Sequence, residues 1–163
     1  MKRIGLLSDT HAYWDDRYLK YFEECDEIWH AGDIGSEEAL RRLREFKPTR
    51  AVYGNMDGGE VRYSLSEFYR FKVEEVNVFM THIGGYPGHY DMYAHQLIER
   101  YRPDVFVCGH SHILKVMRDT QYDMMTINPG AAGIQGWHVV RTALRFRIED
   151  GNISDMEVFN LPR

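Results

Sequence analysis

The chain has few cysteines, no long apolar run and little positive charge. It carries 2 cysteines in 163 residues. Cys25 and Cys108 form no CxxC unit, so two reduced, buried thiols are expected. No apolar stretch approaches the roughly 20 residues a membrane span requires. The apolar segment at the N-terminus ends at Ser8, too early for a secretory signal. A cytoplasmic location away from the membrane is therefore the expectation, and the glycosylation-like triplet Asn152-Ile153-Ser154 is read as chance. Lys and Arg number 20 against 25 Asp and Glu, for a net charge of −5. The densest basic run, Arg41-Arg42-Leu43-Arg44, lies on a predicted helix. A grip on long nucleic acid calls for a basic patch, so long nucleic acid is not expected as a partner. Also absent are GxxxxGK[ST], GxGxxG, HExxH and GxSxG, and with them the enzyme classes those motifs mark.

What is present is an ordinary globular composition, 44% hydrophobic and 13% aromatic. The length suits one domain over residues 1–163 with a sizeable core. Five short apolar runs stand out: Ile4–Leu7, Glu27–His30, Arg50–Tyr53, Val76–Met80 and Asp104–Cys108. Helical patterns separate them. Ser36 is a good N-cap, followed by Glu37 and Glu38 in the first turn and arginines beyond, as the helix dipole favours. Ala94, Leu97, Ile98 and Tyr101 make an amphipathic stripe that Pro103 terminates. Strands alternating with helices predict βαβ units. The last third predicts hairpins: Leu144, Phe146 and Ile148 alternate with Arg145 and Arg147, Asp150-Gly151-Asn152 is turn chemistry, and Ile153–Phe159 returns. Thr120–Asp123 reads as another hairpin tip.

Each of the five runs ends in residues that bind metals. In order these are Asp9 and His11, Asp33, Asn55, His82, and His110 with His112. Ligands in open α/β sheets bind outside the carboxyl ends of the strands, so five neighbouring strands in one sheet would bring these clusters to one rim. Gly32, Gly54 and Gly109 would let the backbone turn tightly before each ligand. Imidazole with carboxylate suits manganese, iron, zinc or nickel. Seven donors are too many for one ion and about right for two that share a carboxylate. Two ions about 3.5–4 Å apart clamp the attacking and leaving oxygens of a displacement at phosphorus.

The order Asp-x-His, Gly-Asp, Gly-Asn, His and Gly-His-x-His resembles the calcineurin-like metallophosphoesterase superfamily, in its small bacterial and archaeal phosphodiesterase branch. The matching residues run from Asp9 to His112, with Asn128-Pro129-Gly130 beyond. The resemblance implies an α/β fold of two mixed β-sheets packed as a sandwich and flanked by helices. It implies one metal held by Asp9, His11, Asp33 and His112, and a second by Asp33, Asn55, His82 and His110, with Asp33 bridging. Two divalent cations are expected, manganese first, with iron, nickel or zinc as alternatives. The implied activity is a phosphodiesterase in which a metal-bridging hydroxide attacks phosphorus, with Asn55, His82 and Asp33 as catalytic residues. Its substrate would be a small phosphodiester or nucleotide-like molecule, and a homo-oligomer is open. Many members place a histidine after the Gly-Asn that protonates the leaving group; here Met56 stands there. The histidine motif is also one residue longer, His82-Ile83-Gly84-Gly85.

Other polar residues have plainer readings. Asp57 is expected to support the site rather than act in it, His30 to be a hydrogen-bonded core residue, and His95 to be solvated. His89 and His138 are candidates for the missing acid. Arg141 reads as a salt-bridge partner before a phosphate clamp. Tyr13 and Trp14 are either core aromatics or a stacking platform. The runner-up function is an interaction scaffold of the same fold, as in the family's retromer subunit, although here every ligand position is filled. A nuclease or phosphomonoesterase acting on small nucleotides is the third reading.

Overall fold

A computed structural model describes residues 1–163. In chain order the elements are β1 (Lys2–Leu7), α1 (Arg17–Tyr21), β2 (Glu27–His30), α2 (Glu37–Phe46), β3 (Thr49–Ala51), α3 (Gly59–Ser64) and β4 (Phe68–Val73). They continue with β5 (Val76–Thr81), α4 (Met92–Tyr101), β6 (Val105–Val107), β7 (Leu114–Asp119), β8 (Met124–Pro129), β9 (Val140–Glu149) and β10 (Asn152–Pro162). They form two five-stranded sheets, ordered β10-β9-β1-β2-β3 and β4-β5-β6-β8-β7. Both are mixed. β1, β2 and β3 run parallel in the first sheet, and β5, β6 and β8 in the second. This is the α/β sandwich of two mixed sheets.

The runs are mainly apolar because most of their residues are covered on both faces of the strand, with Arg50 and Asn77 as exceptions. Ile4, Leu6 and Trp29 of the first sheet meet Val78, Met80, Val105 and Val107 of the second in one core, joined by Leu144, Phe146 and Ile148. The residues between them face outward. Leu7 and Ile28 pack under α1 and α2 with Tyr18, Phe22 and Leu43, and Phe79 and Phe106 pack under α4 with Ala94 and Ile98. Each fully buried Leu, Ile or Phe contributes about 1.5–3 kcal/mol. Gly5 lets the end of α1 pack tightly on the sheet: a Cβ there would lie 2.4 Å from the Phe22 ring.

The five runs do not share a sheet. Three lie in the first and two in the second, so the single-rim arrangement becomes two facing rims. β4, which has no apolar run, is a half-buried edge strand paired antiparallel to β5. Its turn, Glu74-Glu75, has both φ values positive, at 46° and 68°, with no glycine to signal it. α2 begins as expected, with Ser36 Oγ accepting from the Ala39 amide at 3.1 Å. α4 is capped by Asp91 and ends at Arg102, one residue before Pro103. No helix is long and apolar enough to cross a membrane.

Candidate metal centre

The loops that follow β1, β2, β3, β5 and β6 converge where the carboxyl ends of the two sheets face each other. Backbone hydrogen bonds join them. The amides of Asp9 and His11 donate to the carbonyls of Gly32 and Asp33 at 3.0 and 2.9 Å, linking the first loop to the second. Gly109 donates to His82 O at 2.9 Å, and the His110 amide to Asp9 Oδ2 at 3.1 Å, so the sheets are linked across the sandwich.

Six of the seven expected ligands fall into two triads, Asp9–His11–His112 and Asp33–His82–His110, and within each the donor atoms all lie within 4.8 Å of one another. The triads touch. Asp33 Oδ2 is 3.1 Å from His82 Nε2 and 3.6 Å from His11 Nε2, and Asp9 Oδ1 is 3.2 Å from His112 Nε2 and 3.7 Å from His82 Nε2. The seventh, Asn55, joins the second triad, its Oδ1 3.1 Å from His110 Nδ1.

Three of these atoms, Asp9 Oδ1, His11 Nε2 and His82 Nε2, are buried with no hydrogen-bond partner. Orphaned buried polar atoms are costly, at about 1–3 kcal/mol each, and here they point at one another. Five of the seven residues also hold left-handed backbone: Asp9 (φ 55°), His11 (45°), Asp33 (55°), His110 (73°) and His112 (63°). Such strain concentrates at functional sites, at about 1–3 kcal/mol per residue. Unsatisfied nitrogen and oxygen donors facing one point fit cations, and the mixture of carboxylate, amide and imidazole fits a divalent transition metal.

Neighbouring groups fix which donor atom faces inward. Ser8 Oγ donates to Asp9 Oδ2 at 2.6 Å, leaving Oδ1 for the centre. The Met56 amide takes Asp33 Oδ1 at 2.8 Å, leaving Oδ2. His82 Nδ1 donates to Ala31 O at 2.8 Å, which holds the ring in the tautomer with a bare Nε2. Asn128, near the end of β8, donates to Gly109 O and Ser111 Oγ and so braces the Gly-His-x-His loop. Asp57 accepts from the amides of Ile34, Gly35 and Gly54 at 2.8–3.1 Å, tying the Asp33 loop to the Asn55 loop.

The electrostatics follow from this crowding. Burial pushes the Asp9 carboxyl up, but the imidazoles of His11, His112 and His82 outweigh it and hold the group well below the carboxylate range. Asp33 is likewise drawn down by His82 against its burial. Asp9 raises His11. Burial disfavours charge on His82, yet Asp33 and Asp9 together raise it. His110 is lowered, by burial and then by His82.

The glycines act differently from expected. Of Gly32, Gly54 and Gly109, only Gly32 has a positive φ, at 102°. Gly54 and Gly109 are needed for close approach: a Cβ on Gly54 would lie 2.1 Å from Asp33 Oδ1, and one on Gly109 2.1 Å from Ser8 Oγ.

The remaining residues sort out plainly. His30 is buried in the core, its Nδ1 accepting from the Gly32 amide and its Nε2 3.0 Å from Thr10 Oγ1, and burial pushes it down to about 4. Arg141 is buried in an ion pair with Asp15 at 3.0 Å and lies over Tyr13, so its guanidinium is committed. Trp14 is committed as well, donating to Asp16 and carrying Arg42 on its face. His95 is not simply solvated, since its Nε2 lies 2.6 Å from the Tyr122 hydroxyl. His89 is exposed against Tyr86. His138 stands beside His112, ring centroids 5.2 Å apart, with its Nε2 on Gly133 O at 2.7 Å. Met56 is 63% exposed and carries no proton. A groove beside Asn55 and His82, walled by Arg62 and Tyr93, has no periodic or motif signal in the sequence.

Residues 1–151 match the family model of the calcineurin-like phosphoesterase superfamily domain. A probable metallophosphoesterase from Methanothermobacter thermautotrophicus is 31% identical over 136 residues, which cover 78% of this chain and 76% of that one. Among solved structures, one described as a novel archaeal phosphodiesterase superposes with a TM-score of 0.79 at 21% identity, covering 98% of this chain and 99% of that one. Vps29 from Entamoeba histolytica, solved with zinc, superposes at 0.75 and 16% identity, with 98% of each chain covered.

Proposed function

The chain belongs to the calcineurin-like phosphoesterase superfamily, and from that premise we propose that it is a dinuclear metal-dependent phosphodiesterase. The observation that carries this reading is the pair of touching triads with three buried donor atoms left unsatisfied at their centre. Asp9, His11 and His112 would hold one divalent cation and Asn55, His82 and His110 the other, with Asp33 between them, as its Oδ2 contacts to His11 and His82 allow. Manganese is the first choice, with iron, nickel or zinc as alternatives. Two bound cations would supply Lewis acidity toward a phosphoryl group and a nucleophile at neutral pH.

The protein's own residues set the geometry. Asp33 and His82 are locked by the Met56 amide and the Ala31 carbonyl, so little reorganisation accompanies reaction. Asn55 has its Oδ1 toward His110 and its amide nitrogen left to donate to a phosphoryl oxygen. Met56 offers no proton to the departing alcohol. That proton comes from water, so good leaving groups are favoured: aryl diesters turn over well and alkyl esters poorly. The small-substrate reading also fits the net charge of −5. The Vps29 likeness keeps a scaffold as the second reading, and the complete donor set argues for catalysis.

The test is hydrolysis of an aryl phosphodiester by metal-stripped protein reconstituted with Mn²⁺, beside Asp33→Asn. Metal-dependent turnover that disappears in the variant is expected. Metal uptake with no turnover on mono- or diesters would favour the scaffold.

A further inference from the structure

Three surface grooves surround the α2–α3 side of the molecule. The largest, about 730 Å³, lies between α2 and α3, is lined mainly by exposed charged residues and touches none of the metal donors. A smaller one of about 390 Å³ is different, because Asn55 and His82 form part of its wall. It opens from the second triad and runs toward α3 and α4. Its apolar lining is mainly aromatic, with Tyr53, Phe68 and Tyr93 from the first turn of α4, and Ile83 beside them. Tyr93 is 54% exposed, with its ring against Phe68 at 5.1 Å between centroids.

Arg62 divides this groove from a neighbouring one of about 610 Å³ and lines both. Its guanidinium lies 4.4 Å over the Tyr53 ring, and Nη1 donates to Asp57 O at 3.3 Å, two residues from Asn55. It forms no ion pair with a carboxylate. Its remaining N–H groups are therefore free for an anion held at the second triad. Glu67, also in the wall, makes no hydrogen bond to the protein and is exposed to the groove as an acceptor.

We propose that this groove binds the nucleoside portion of a phosphodiester, with the base stacked on Tyr93, Arg62 on a phosphoryl oxygen, and Glu67 accepting from ring N–H or amino groups. A simple aryl group would use the stacking wall and leave the polar wall idle, whereas a nucleobase uses both. The aromatic pair that follows the first ligands, Tyr13 and Trp14, is already occupied by Arg141 and Arg42 and is not open for stacking. Trp137, 99% exposed near His112, is the competing platform, and it has no partner wall. The proposal rests on the phosphodiesterase reading for its phosphate position and on the groove itself for the nucleoside.

The experiment compares two diesters with the same leaving group, a nucleoside 5′-(p-nitrophenyl) phosphate and methyl p-nitrophenyl phosphate, on the Mn²⁺-loaded protein. Stacking of a base on an aromatic side chain strengthens binding by about tenfold, so KM for the nucleoside ester should be lower by about that factor. Tyr93→Ala should bring that ratio close to one and Tyr93→Phe should restore it, Arg62→Ala should raise KM for both esters and keep their ratio, and Trp137→Ala should keep the wild-type ratio. Equal KM values in the wild type, or loss of the preference on Trp137→Ala instead, would overturn the proposal. If neither ester is hydrolysed, the phosphodiesterase reading fails by itself. Saturation-transfer NMR with adenosine then decides the groove. Transfer to the base protons that disappears in Tyr93→Ala supports it, and no transfer in the wild type refutes it.

Discussion

The first sheet supplies every oxygen donor of the candidate centre, and the second supplies three of its four imidazoles. Asp9, Asp33 and Asn55 follow β1, β2 and β3, with His11 beside Asp9, while His82, His110 and His112 follow β5 and β6. Neither half can hold two cations alone. The centre exists only once the sandwich closes, and bound metal would in turn hold the sheets together. The comparison also separates kinds of strand. Parallel strands that cross over end at the rim and carry donors; the antiparallel strands β4, β7, β9 and β10 carry none. β8 is parallel and contributes a brace, Asn128, in place of a ligand.

The most severe way to break this division of labour is Asp33→Asn, because Asp33 contacts histidines of both triads. Activity should fall on the order of 10³-fold or more, several kcal/mol of metal-derived stabilisation, as read by aryl diester hydrolysis. Single-sheet losses should be smaller and separable. His112→Ala should empty the first triad and His82→Ala the second, each leaving about one metal per chain and costing on the order of 10²-fold. Equal loss of both metals in both variants would show that the triads do not act as separate sites.

Next comes a change that touches no donor. In Gly54→Ala the new methyl meets Asp33 Oδ1 at 2.1 Å and the Asp33 backbone nitrogen at 2.5 Å, so the Asp33 carboxylate must move. Metal affinity should drop about 10–100-fold, the range for disturbed supporting contacts, while the fold persists by circular dichroism. The effect of pH is milder. Nearby carboxylates raise His11 and His82 above their ordinary value of 6.5, and a cation must displace those protons. Asp9 and Asp33 are held low and compete for no protons near neutrality. Metal affinity, followed by titration calorimetry, should therefore fall as pH falls, beginning above 6.5, by about tenfold per pH unit for each protonated imidazole. The smallest effect belongs to α2. Arg41 pairs with Glu45 in solvent, and Arg41→Ala should change stability by less than about 0.5 kcal/mol and leave metal binding alone.

The donors are legible in the sequence because each follows a largely buried strand, and burial of both strand faces leaves a mainly apolar run. β2 and the Ser36-capped helix are readable for similar local reasons. Sheet membership is not. A run such as Val76–Met80 looks the same whichever sheet it joins, and only the excursion through α3 and β4 sends it to the second. β4 itself is hidden by its half-buried edge position and by a turn made of two glutamates. The donor residue types can be read from the sequence, but spacing alone does not separate the two triads, because Asp9 and His112 meet only across the sandwich. Gly54 and Gly109 look like turn glycines in sequence, yet their value is an absent side chain against Asp33 and Ser8, which no local pattern reveals. Arg62 and Tyr93 carry no local signal because a groove is a property of three elements at once.

We propose that the two sheets jointly hold two cations through Asp33. Metal content per chain, measured by mass spectrometry on Mn²⁺-reconstituted wild type and Asp33→Asn after removal of free metal, tests it directly. Two ions per chain in the wild type and fewer than one in the variant are predicted. A single ion per chain in both would show that Asp33 does not join two cations.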